Sequence, residues 1–294
     1  MHDVVIVGGG LAGLSCAIAC GQHGLSTLII SGRLGGSLLE TPIIDTLPGV
    51  GAVYGPELAK KFAEQAASLG VESREAEIIE IRSGFTLFNV TDHSGEKHKA
   101  RAVIIACGRP AKMLEVMGEE EFLGKGITTS PITDFEQLKG GIVAVNGHDQ
   151  RAAAVALWLA NSCEKVHLIS SSPRLNATPL ANERLNRTLR IEQHLNTGIK
   201  QVIGSLSLES IMLDKGQQIK LSGLVLTQRG APQLSFLKVP VRISDGIVVD
   251  SEMKTSHKGI FACGEVLSTK NAMAPEIIAQ AWAAAESAHK FIRK

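Results

Sequence analysis

"VVIVGGGLAGLSCAIACGQHG", residues 4–24, decides the fold class. Four apolar residues, Val4 to Val7, read as a buried strand; Gly8-x-Gly10-x-x-Gly13 follows at once, and an apolar helix runs on to Gly24. Each glycine has its own task in such a loop. Gly8 makes the turn, Gly10 lets backbone approach a pyrophosphate, and Gly13 lets helix pack on strand. With a strand before it and a helix after it, the stretch predicts a dinucleotide seated on a helix N-terminus. A second strand, "LSTLIIS" (25–31), ends in Ser31, where many such folds place an acid for the ribose.

Working outward, "AEIIEIRSGFTLFNVTDHSGEKHKARAVII" (76–105) reads as a β-meander with "HSGE" as a turn. "KARAVIIACGRP" (99–110) and "KGIFACGEVL" (258–267) are strands that end in small-residue turns. Between them lies "AVNGHDQRAAAVALWLA" (144–160): a strand, a turn at Gly147, an Ala-rich helix, and then a further strand, "KVHLISS" (165–171). One nucleotide domain is thus interrupted by a second of similar plan, with parallel sheets and right-handed crossovers. The second turn differs in one respect: His148 and Asp149 stand where glycines belong.

Composition narrows the partners. The 294 residues are 44% hydrophobic and 20% charged with a net charge of +1, which favours neither nucleic acid nor a membrane surface. The N-terminus enters a strand within three residues and no apolar run spans a bilayer, so we expect a cytoplasmic protein. The five cysteines (16, 20, 107, 163 and 263) form no C-x-x-C and no metal-ligand spacing. Cys16 and Cys20, four apart on one helix, read as buried small side chains.

From end to end the chain resembles the low-molecular-weight thioredoxin reductase group of flavoproteins. The resemblance is carried by "VVIVGGGLAGLSCAIA", "GGSLLETPIIDTLPGV" (35–50), "VIIACGRPAKML" and "GIFACGEV", in the group's order and spacing. It implies FAD held by Gly8, Gly10, Gly13, Gly36, Ser37, Cys107, Gly108, Gly264 and Glu265, and a homodimer formed through the FAD domains. Glu265 replaces the group's Asp, Cys107 a Thr, and Met273 falls where a flavin-contacting Gln is usual.

Two working parts of the group are missing. Its C-x-x-C-D falls on "SPITD", so Ser130 and Thr133 occupy the cysteine positions; a hydroxyl cannot exchange with a disulfide. Asp134, the remaining acid, is the one catalytic nominee, or else a turn or N-cap residue ahead of "DFEQLKGG". The NADPH motif falls on Gly147, Asp149 and Ala152, and the arginines for the 2′-phosphate are Ser170, Ser171 and Ser172, with Arg174 alone nearby. We expect Asp149 to cap the helix itself and leave a relic; a second nucleotide in another pose and ordinary NAD(P)H binding stay open.

Smaller features carry two readings each. His148 is a ligand contact or a solvated turn residue, and Cys263 a thiol near the flavin or a packed small residue. The arginines of residues 173–190 serve an acidic donor protein or a solvated helix.

The chain therefore reads as α/β, two Rossmann-like three-layer nucleotide-binding domains: residues 1–111 and 242–294 for FAD, enclosing a degenerate NAD(P)H-binding-like domain at 112–241. Three functions stay open: an oxidoreductase fed by a protein such as ferredoxin or flavodoxin; a redox-inactive FAD scaffold or sensor; a flavin oxidase or reductase acting on a small substrate.

Overall fold

The computed structural model describes residues 1–268 and 273–293. The chain divides into two compact units, residues 1–39, 45–110 and 231–294, and residues 40–44 and 111–230.

The first unit opens with β1 (His2–Val7), α1 (Leu11–Gln22), β2 (Thr27–Ser31), α2 (Gly55–Ser68) and β3 (Glu72–Glu75). A meander follows, β4 (Ile78–Ser83), β5 (Phe88–Asp92) and β6 (Lys97–Ile105). The sheet order is β3-β2-β1-β6-β5-β4, parallel from β3 to β6 and antiparallel beyond. Alternation sorts β1 between two layers. Val5 and Val7 join the core under the meander with Ile81, Phe88 and Val90, so Val4 and Ile6 point to the opposite face, where α1 lies. That helix is buried from Leu11 through Cys20, so it reads as apolar all round rather than striped.

The second unit contributes α3 (Glu119–Phe122), β7 (Ile127–Thr128), α4 (Phe135–Leu138), β8 (Ile142–Asn146), α5 (Gln150–Leu159) and β9 (Lys165–Ser170). After these come α6 (Pro179–Arg187), β10 (Ile191–Leu195), β11 (Ile199–Gly204), β12 (Leu208–Leu213), β13 (Gln218–Lys220) and β14 (Gly223–Leu226). Five parallel strands run β10-β9-β8-β14-β7. Val143, Val145 and Val166 pack on α5 and α6 from one face. Ala144 and Ile169 pack from the other against the antiparallel sheet β11-β12-β13. The chain then returns to the first unit for β15 (Ile260–Ala262), parallel to β6, and α7 (Ala274–Ile292).

The return comes earlier than residue 242. Residues 231–241 belong to the first unit because Phe236 and Val239 enter its core. Backbone bonds from Ile81 N–H to Phe236 O (2.7 Å) and from Lys238 N–H to Ile81 O (3.0 Å) hold them there. Residues 40–44 count with the second unit, where Glu40 Oε2 pairs with Arg229 at 3.1 Å.

The meander turn is organised by Asp92, whose side chain is fully buried. It accepts from Ser94 N–H (3.0 Å), Ser94 Oγ–H (2.6 Å) and Glu96 N–H (3.1 Å), and it faces Arg74 Nε at 3.0 Å. The hydrogen bond from Ser94 leads the causes that hold its carboxyl well below the usual range. A depressed carboxylate gives stability that is fully present above the unfolded pKa of about 3.9 and is lost as pH falls toward the folded value. We therefore expect urea stability to drop progressively below about pH 4, and the Asp92→Asn variant to show a shallower acid slope. Equal slopes for the two proteins would refute this assignment.

Candidate functional site

Register brings three strand ends level. Val7 pairs with Ile105, and Ile105 pairs with Ala262, so β1, β6 and β15 stop together at their carboxyl ends. Their next residues, Gly8, Ala106 to Gly108, and Cys263 to Glu265, therefore gather along one edge of the first unit's sheet. In open α/β sheets this edge is where ligands bind.

The glycines are there for measurable reasons. Gly8 has φ +108°, and a Cβ on it would lie 2.4 Å from Ala106 O. A Cβ on Gly13 would lie 1.8 Å from Gly8 O, so the helix touches the turn backbone to backbone. Gly36 rests on the first loop, its notional Cβ 2.9 Å from Gly10 Cα, while Gly35 N–H donates to Gly9 O at 2.8 Å. Gly10 and Gly108 are different: a Cβ on either would meet nothing within 4 Å. Their open sides mark free space. Gly10 is also the N-cap of α1, which has no side-chain cap and no acid in its first turn. That end of the helix keeps its positive pole available to an anion.

Gly264 N–H donates to Gln280 Oε1 at 2.9 Å, and Glu265 is half-buried in the 3-10 turn Gly264–Val266. Arg109, which the sequence reading passed over, ties this turn to the β6 loop: its Nε donates to Glu265 O (2.7 Å) and a guanidinium N–H to Leu267 O (3.0 Å). A lone cation just after the strand-ending "ACG" was the available signal. Ser37 lies in the 3-10 segment Gly36–Glu40. Met273 is the N-cap of α7, with its N–H donating to Glu276 Oε2 at 3.0 Å and its side chain exposed.

The second loop has the same outline and the opposite chemistry. Asp149 is the N-cap of α5, and its Oδ1 accepts from Ala152 N–H at 3.0 Å. The segment after β9 lies on this turn: Asn176 N–H donates to His148 O (2.6 Å) and Thr178 N–H to Gln150 Oε1 (2.9 Å). Gly147 has no room either, since a Cβ there would lie 2.1 Å from Thr227 Oγ1. His148 is half-buried, and its backbone carbonyl is the acceptor for Asn176 N–H. Two arginines beyond are engaged locally: Arg187 with Glu183 (2.7 Å) and Arg190 with Ala160 O (3.2 Å). The helix there, α6, covers only the middle of residues 173–190, and Thr178 Oγ1 caps it.

At the "SPITD" turn, Asp134 N–H donates to Ser130 O (3.1 Å) and Asp134 sits at the N-cap of α4. Its carboxylate does not cap; Oδ2 accepts from Thr128 Oγ instead. Thr128, Asp134, Lys125, Gln137, Ser207 and Ser222 face a cavity of about 250 Å³ within the second unit. Four of the five thiols are buried. Cys16 and Cys263 are buried with their sulfurs 3.3 Å apart, so Cys263 is a packed residue. Burial pushes Cys16 up, Cys20 up to about 12 and Cys163 to about 11. Cys107, by contrast, is exposed.

Comparison with known proteins agrees with this layout. Residues 2–288 match the pyridine nucleotide-disulphide oxidoreductase family. The thioredoxin reductase of Aquifex aeolicus is 30% identical over 302 aligned positions that cover 99% of this chain and 94% of that protein. That of Listeria innocua is 30% identical and covers 90% and 86% respectively. The crystal structure of T. acidophilum thioredoxin reductase superposes with a TM-score of 0.92 at 28% identity, covering 98% of both chains. With two glycine-loop units on one thioredoxin reductase-like frame, the chain belongs to the pyridine nucleotide-disulphide oxidoreductase family.

Proposed function

We propose that this chain is an FAD flavoprotein that takes electrons from a protein donor such as ferredoxin or flavodoxin, without NAD(P)H and without a dithiol relay. One observation carries the reading: two helices of one plan begin differently, α1 with a bare N-terminus under open glycines and α5 with its N-terminus closed by Asp149. The residues of the first unit fit the flavin dinucleotide. Gly10 leaves room where a pyrophosphate approaches, Gly8 and Gly13 bear contacts that no side chain allows, and Gly108 and Gly264 continue the same edge. In this reading Gly36, Ser37, Cys107, Glu265 and Met273 complete the FAD contacts.

Bound there, FAD supplies hydride and electron chemistry, and the protein supplies orientation and exclusion of competitors. At the second turn, the carboxylate of Asp149 opposes a pyrophosphate; like charges about 4 Å apart repel by about 1 kcal/mol even in water and more when desolvated. We assign the first unit to FAD and the second to a degenerate NAD(P)H-binding-like domain, in a cytoplasmic homodimer.

A second reading, a flavin oxidase or reductase acting on a small polar substrate, is favoured by the cavity beside Asp134. Anaerobic mixing separates the two. The purified protein should be yellow, keep its visible flavin band with NADPH or NADH, and bleach with reduced ferredoxin or flavodoxin. Prompt bleaching by NADPH overturns the proposal. Bleaching by a small polar donor alone favours the second reading, and inertness to every donor leaves an FAD scaffold or sensor.

Two glycine variants test the cofactor placement. Gly10→Ala should keep apoprotein stability within about 1 kcal/mol yet lose flavin. Gly13→Ala should destabilise the fold itself by about 1–3 kcal/mol, because its methyl group overlaps Gly8 O. A Gly10→Ala protein that purifies with full flavin content sinks the placement. Replacing Asp149 with Gly together with Ser171→Arg and Ser172→Arg should create measurable NADPH affinity, read by fluorescence titration.

A further inference from the structure

We propose that His167, Glu192 and His194 form a binding site for a divalent transition metal of the zinc class, clamping the edge strand β10 to β9. The register makes the cluster. Glu192 pairs with His167 across the two parallel strands, and His194, two residues beyond Glu192, projects from the same face. His167 Nδ1 and His194 Nε2 are 2.9 Å apart, His194 Nε2 and Glu192 Oε1 3.4 Å, and His167 Nδ1 and Glu192 Oε2 3.9 Å. Four-coordinate zinc with bonds of about 2.0 Å sets its ligand atoms about 3.3 Å apart. The two nitrogens lie within about half an ångström of that spacing, and Glu192 presents one oxygen toward each histidine, so a rotation of its carboxylate that brings a single oxygen to both completes one face of a tetrahedron.

The chemistry of the donors agrees. Two imidazoles and a carboxylate are the ligand types zinc takes, and strands hold them more firmly than loops. The histidine side chains are 8% and 9% exposed, whereas Glu192 is 44% exposed, so an ion enters from the carboxylate side. Lys165 pairs with Glu192 and is the competitor that the ion displaces.

Two other clusters of metal-binding side chains among the described residues are poorer. Asp92 is saturated by donors and by Arg74. His23 and His289 stack ring on ring at 4.6 Å and 13°, so their nitrogens run parallel and do not converge, and Lys290 holds Glu286.

The test is a titration of the full chain with Zn²⁺ and with Co²⁺. One equivalent should bind, Co²⁺ should develop the strong visible bands of a four-coordinate site, and Zn²⁺ should raise the melting temperature. His194→Gln should weaken binding at least tenfold and abolish the thermal shift. His23→Gln should leave both unchanged. Lys165→Gln should tighten binding several-fold by freeing Glu192, and this variant leaves both histidines in place, so it reports even if a histidine variant unfolds. Equal binding by wild type and His194→Gln, or no tightening in Lys165→Gln, overturns the proposal.

Discussion

A helix begins with amide groups that its own turns cannot satisfy, and this chain meets that constraint in two opposite ways. At α1 no side chain answers, the loop beneath is glycine, and space is left beside Gly10. At α5 the carboxylate of Asp149 answers, and the segment carrying Asn176 and Thr178 lies across the turn. A cap of this kind adds about 1 kcal/mol to the helix and removes the group that an outside anion needs. At α5 one hydrogen bond does both.

The frame makes that single bond decisive. In both units a parallel sheet aims its strand ends at the loop in question, so whatever occupies the helix N-terminus occupies the site. In the first unit, Gly8 against Ala106, Gly13 against Gly8, and Gly35 against Gly9 lock three segments into one surface. Arg109 extends it by holding the Gly264–Val266 turn through backbone carbonyls. These contacts are made mostly by main chain, so the frame depends little on the side chains of Cys107 and Glu265.

Much of this was legible in the residues. The strand, glycine loop and helix at 4–24, the meander at 76–105 and the capping role of Asp149 all rest on contacts within about thirty residues of sequence. What stayed hidden depends on partners distant in sequence. Residues 231–241 show no clear period, and the packing of Phe236 and Val239 together with backbone bonds to Ile81 assigns them. Arg109 acts on carbonyls 156 and 158 positions away. His167, Glu192 and His194 converge only once two strands adopt a particular register. Asp134 occupies the helix position its sequence suggests, but Thr128 draws its carboxylate aside.

The sulfurs carry a last consequence. Cys16 and Cys263 touch inside the first unit, Cys20 and Cys163 are buried, and Cys107 is exposed. Since an electrophile must reach a sulfur before the thiolate can attack it, reagents that disable enzymes with a reactive dithiol meet one accessible thiol here, Cys107, and four that packing shields. Modification by such reagents is thereby confined to the loop after β6, and the packed sulfurs are spared for as long as the fold holds.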